Sequence, residues 1–108
     1  MELTVLTVPG CPNAAVFEER LAAALAYYPG VAVRRRQVAD EQEAAETGMA
    51  GSPTLLINGA DPFAAPGQAP ALSCRLYRDE AGQLAGAPSV KDLRRALEQA
   101  KADDQSTP

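Results

Sequence analysis

Two Pro-Gly pairs, Pro9-Gly10 and Pro29-Gly30, cut the first third of the chain into three pieces with different apolar spacing. Each pair interrupts whatever precedes it. Before the first, LTVLTV is rich in aliphatic and β-branched residues and reads as a buried, central strand over Leu3–Val8. Between the pairs, Val16, Phe17, Leu21, Leu25 and Tyr28 recur at helical spacing, with Glu18, Glu19 and Arg20 on the opposite arc. That pattern predicts an amphipathic helix of about four turns starting at Asn13. After the second pair, VAVRRRQV resumes strand character over Val31–Val38, and its arginines suit an edge, where charge discourages pairing with other chains. Strand, helix and strand in that order close a right-handed unit whose two strands are parallel.

The remainder supplies a second half of different character. Asp40–Thr47 is a short acidic helix that Gly48 closes, with acids near its start where the helix dipole favours them. Ser52-Pro53 leads into a strand over Thr54–Ile57, and Asn58-Gly59 is a strong hairpin turn. The return is delayed, because ADPFAAPGQAPA carries three prolines and no strand pattern. A loop of that length without structure of its own is uncommon and often functional. The last strand is LSCRLYR, with Leu72, Cys74 and Leu76 on one face and Ser73, Arg75 and Tyr77 on the other; Asp79–Gly82 then turns the chain. A final helix starts at Ser89 as N-cap, with Asp92 as a weak capping-box partner, and presents Val90, Leu93 and Leu97 to the sheet. The order β-α-β-α-β-β-α predicts an α/β domain over residues 1–100: a four-stranded mixed sheet, Leu3–Val8 central, helices on both faces. KADDQSTP, residues 101–108, reads as a flexible tail.

Composition narrows the chemistry. A net charge of −4 leaves no general basic field for nucleic acid, and Arg34-Arg35-Arg36 is the one dense positive run. It reads as a solvated strand rim or, alternatively, as a phosphate-binding or docking patch. No apolar stretch approaches a membrane span, and MELTVLTVPG lacks the basic start and apolar length of a signal peptide, so the expected address is cytoplasmic. The chain has no histidine, which removes Cys-His and Ser-His mechanisms and every His-containing metal site. Two cysteines in a reducing compartment must then be packing, metal-binding or redox residues.

Cys11 stands at the start of the first predicted helix, where unpaired amides and the dipole favour a thiolate, the nucleophilic form. Pro12 presets the first turn and offers no N–H, which leaves the amides of Asn13 and Ala14 as donors. The competing reading makes Cys11 a small buried hydrophobe that caps the helix.

The strand followed by Cys11-Pro12-Asn13-Ala14 and a helix, with RRRQVADEQEAAETGMAGSPTLLING behind it, resembles the thioredoxin and glutaredoxin superfamily over Glu2 to about Ala100. The resemblance implies a thioredoxin-like fold, Cys11 as attacking thiol, a cis Pro53 that faces it, and substrate held by Pro12, Asn13, Ser52 and Pro53. Ala14 stands where a dithiol member has its second cysteine, so the pattern is that of a monothiol protein. The glycine pair that grips glutathione in that family has only Gly86 to match it. DPFAAPGQAP and LSCRLYR are also similar to a thioredoxin-like group sometimes labelled alkylmercury lyase. The family's topology places Cys74 at the sheet end away from Cys11, as a packed or partly exposed strand residue. If the proline-rich loop folds back, Cys74 instead resolves a mixed disulfide on Cys11, or the two thiolates clamp a soft metal ion. The expected function is monothiol redox or thiol-disulfide exchange through Cys11, with a thiol or disulfide partner and no cofactor. A non-catalytic binding module, or mercury-type metal binding by Cys11 and Cys74, is the alternative.

Overall fold

Leu3, Val5 and Leu6 place the first strand, β1 (Leu3–Thr7), in the middle of a three-stranded sheet in the computed structural model, which describes residues 1–106. On one side β1 pairs in parallel with β2 (Val33–Gln37), from Leu3 opposite Val33 to Thr7 opposite Gln37. On the other it pairs antiparallel with β4 (Thr54–Ile57), Leu3 opposite Ile57 and Leu6 opposite Thr54. The parallel pair is joined by α1 (Ala14–Ala24) and a single 3-10 turn at Leu25–Tyr27. β2 lies at the edge, where Arg35 and Arg36 meet Glu18 and Glu43 at 2.7 Å each.

Alternation along β1 sends its residues to two cores. Leu3 and Val5 pack with Phe17, Leu21 and Ala24 of α1, Leu55 and Ile57 of β4, and Leu93 and Leu97 of α3 (Val90–Ser106). Leu6 faces the opposite way, toward Val38, Met49 and Ala44 of α2 (Glu41–Thr47). Helices therefore cover both faces. Val16, read from spacing as a core residue of α1, is 41% exposed; Ala24 takes the place on the inner face. α2 starts and stops as its sequence dictates: Asp40 accepts the Glu43 amide at 2.7 Å, and Gly48 closes the helix at φ 84°. Ser89 caps α3 by accepting the Asp92 amide at 3.0 Å, and the Asp92 carboxylate stands 3.9 Å from Arg95. No helix among the described residues is long and apolar enough to cross a membrane.

The fourth strand departs from expectation. LSCRLYR does not return along β4; it breaks into β5 (Ala71–Cys74) and β6 (Tyr77–Arg78). β5 pairs in parallel with β3 (Ala50–Ser52), and β6 forms a small hairpin with β7 (Leu84–Ala85) around the Asp79–Gly82 turn. The sheet through β1 thus has three strands rather than four. Exposure still alternates from Cys74 to Arg78, with Arg75 and Tyr77 buried and Leu76 62% exposed, but the pairing partner changes from β3 to β7 across Arg75, whose buried side chain is held by Asp61. Asn58-Gly59 does form its tight turn, with φ of 52° and 83°, but pairing stops after the Ile57–Ala60 bridge. α3 also continues through Ser106, so most of the segment read as a tail is helical. Lys101 lies over the Tyr28 ring at 5.6 Å, and Asp104 accepts from the Asn58 side-chain Nδ2 at 3.4 Å. Residues 107–108 lie outside the described residues.

Candidate functional site

The chain leaves β1 through a tight turn that holds Cys11. Its amide donates to the Val8 carbonyl at 3.2 Å, and its own carbonyl accepts the Ala14 amide at 3.3 Å. The Ala14 amide is thereby spent on the backbone, where helix-start reasoning offered it to the sulfur. Cys11 is half-buried, Pro12 is exposed, and Asn13 is half-buried. Asn13 is the N-cap of α1 but makes no side-chain capping bond; its amide group lies over Gly86 instead. A Cβ added at Gly86 would stand 2.4 Å from the Asn13 Cγ, so the lone glycine of GAPS serves to seat this side chain.

Ser52 and Pro53 approach from the other side. Ser52 Oγ accepts the Val8 amide at 3.0 Å, which ties the end of β1 to the residue before the proline. The Ser52-Pro53 bond is cis, as the resemblance implies. Both residues are fully buried. Above them sits Tyr77, whose hydroxyl donates to the Pro53 carbonyl. Burial pushes the Tyr77 phenol well above its ordinary value; Arg75 pulls it back, while Asp61 and, more weakly, Cys11 add to the rise. Tyr77 thus stays a protonated donor, and Cys11 lies within its electrostatic reach.

Cys74 is where sequence reasoning did not put it. The last strand was expected to run antiparallel to Thr54–Ile57, with Cys74 at the far end. The parallel pairing of β5 with β3 sets Cys74 opposite Ser52, at the Cys11 end, and leaves it exposed. Both cysteines are free thiols. Compared with protein-family models, curated proteins and solved structures, the chain finds no match.

A charged cluster that sequence reasoning missed lies beneath this arrangement. Arg75 Nη1 donates to Asp61 Oδ2 at 2.6 Å and to Thr54 Oγ1 at 3.1 Å, and Nη2 donates to the Phe63 carbonyl at 3.0 Å. The two charged side chains are only 4% and 8% exposed. The guanidinium also lies 4.7 Å from the centre of the Tyr77 ring, which meets Phe63 edge-on at 5.5 Å. One signal was readable: Asp61-Pro62-Phe63 is a natural Asx turn, and Asp61 indeed accepts the Phe63 amide at 2.8 Å. Nothing local announces that Arg75 is its partner.

A groove of about 780 Å³ lies elsewhere, between the β4 turn and α3, with Ile57, Phe63, Ala96 and Ala100 among its walls. Neither cysteine lines it, nor do Ser52 and Pro53. Among the described residues no group of three or more His, Cys, Asp or Glu side chains could hold a metal ion.

Proposed function

We propose that this is a thioredoxin-like thiol protein in which Cys11 exchanges with disulfides. The observation that carries the reading is a half-exposed thiol in the turn between β1 and α1, set beside the buried Ser52-Pro53-Tyr77 group. A wholly buried thiol is inert, whereas one with solvent access and a rigid surround can be attacked and can attack. The parallel β1–β2 pair, the antiparallel β4 that follows Pro53, and helices on both faces support the thioredoxin-like assignment. The strand that leaves the sheet at β5 is its main departure. A cytoplasmic setting, where thiols stay reduced, belongs to the same reading.

The step is nucleophilic. The Cys11 thiolate attacks one sulfur of a disulfide, the old S–S bond breaks, and the other half leaves as a thiolate. Ala14 cannot resolve the product, so the mixed disulfide persists until a second thiol arrives. Cys74, in register with Ser52, is the internal candidate for that second step and for a two-thiolate clamp on a soft ion.

Mass-spectrometric mapping after treatment with a small disulfide tests the reading. The parent should accumulate an adduct on Cys11; Cys11→Ala should lose it, and Cys74→Ala should leave the first step intact. Ala14→Cys should form an internal dithiol that releases the adduct. An Ala14→Cys variant that holds the adduct as the parent does would show that Cys11 is not placed as an exchanging thiol.

A further inference from the structure

The sheet edge beside Cys11 is occupied by the chain itself. β5 donates from the Ala71 amide to the Met49 carbonyl at 3.1 Å and from the Arg75 amide to the Ser52 carbonyl at 3.0 Å. The two strands approach so closely that a Cβ at Gly51 would stand 2.8 Å from the Arg75 Cβ and 3.1 Å from the Ser73 carbonyl. Gly51 also has φ 113°, a conformation that side chains rarely adopt. At the end of β5 the buried Arg75–Asp61 pair holds the strand down. Ser52 and Pro53 are consequently fully buried, while Cys11 keeps solvent access.

We propose that the exchange partner of Cys11 is a low-molecular-weight disulfide or thiol and not an extended segment of another protein. The proposal rests on Cys11 being the reacting thiol. A segment that docks in extended form does so by adding main-chain hydrogen bonds to an open strand edge. Here the strand-edge acceptors at Met49 and Ser52 are already taken by the chain's own amides. Displacing β5 means separating a desolvated arginine from its carboxylate, which is costly. A small disulfide needs no strand edge, only an approach to the sulfur. Its S–S bond breaks as the Cys11–S bond forms, the departing half is reduced to a thiolate that takes a proton from water, and a second small thiolate reverses the step with the same balance. In this state Ser52 and Pro53 build the wall of the site, without offering themselves as a peptide-binding surface.

The test uses the full chain carrying Cys74→Ser, so that only Cys11 can be labelled. Two probes are compared: bis(2-hydroxyethyl) disulfide, and an unstructured peptide of about ten residues bearing the same hydroxyethyl disulfide on a central cysteine. Each rate of adduct formation at Cys11 is divided by that probe's rate with free cysteine. The peptide should be at least about tenfold slower on this scale. Loosening β5 by Asp61→Asn or Gly51→Ala should bring the two normalised rates together. Equal normalised rates in the Cys74→Ser chain overturn the proposal. A discrimination that persists unchanged in whichever loosened variant folds overturns β5 as its cause. If neither probe labels Cys11, the thiol-exchange function itself fails, and this inference with it.

Discussion

Arginine-carboxylate pairs in two regions of the molecule, one at an exposed strand edge and one buried, use the same chemistry to different ends. On β2, Arg35 grips Glu18 through two bonds of 2.7 and 2.8 Å, and Arg36 meets Glu43, yet both arginines are more than half exposed. Behind β5, Arg75 meets Asp61 at 2.6 Å with almost no solvent. The exposed pairs have water to fall back on, so losing one partner leaves the other solvated. The buried pair has none, and its arginine also carries bonds to Thr54 and the Phe63 carbonyl. Contact distance is the same in the two places; consequence is not. The first set trims an edge strand, and the second decides where a whole strand lies.

The largest effect expected from this contrast is at Asp61. Asp61→Ala leaves the Arg75 charge buried without compensation and should cost about 3–5 kcal/mol, a large share of the roughly 5–15 kcal/mol that a domain of this kind has. Urea unfolding measures it, and a loss no bigger than that of a surface pair would break the comparison.

Tyr77→Phe comes next. It strands the buried Pro53 carbonyl and should cost about 1–3 kcal/mol at neutral pH. It also has a pH signature of definite sign. Burial raises the folded-state value of this phenol above the ordinary 10.0, so the folded chain holds its proton more tightly than the unfolded one. Its contribution is fully present below that ordinary value and is lost as pH rises past it toward the folded value. Between pH 9 and 11, the parent's stability should therefore fall more than that of Tyr77→Phe; equal losses would remove Tyr77 from the buried cluster.

The smallest effect is at the exposed edge. Glu18→Ala should change stability by less than about 1 kcal/mol, and the difference should shrink further in high salt. A loss equal to that of Asp61→Ala would mean that burial does not separate the two sets.

What the sequence disclosed follows the same division. Gly48, Ser89 and the Asn58-Gly59 turn could be read directly, because a cap or a turn is decided by a residue and its near neighbours. The central place of Leu3–Thr7 followed from an aliphatic run that has only one stable environment. The Cys11 turn was legible for the same reason, through its flanking Gly10 and Pro12. The break between β5 and β6 was not, because it depends on Arg75 finding Asp61 fourteen residues earlier. Cys74 was misplaced because the last strand was expected to run antiparallel to Thr54–Ile57, which sets its start at the sheet end away from Cys11, whereas β5 runs parallel to β3. The polar segment after Ala100 misled in another way. Its helical state is supported by Tyr28 and Asn58, which are remote in sequence, and composition alone speaks only for fraying.

The glycine at position 51 bears on where the fifth strand can lie. A chain of the same layout with any side chain there would have to move its fifth strand away by more than a small adjustment, since the obstacles are a backbone carbonyl and the root of a side chain. The glycine acts together with Asp61 and Arg75: it lets the strand approach, and the buried ion pair holds it there. In this chain the three residues together let its own strand lie across the edge at Ser52.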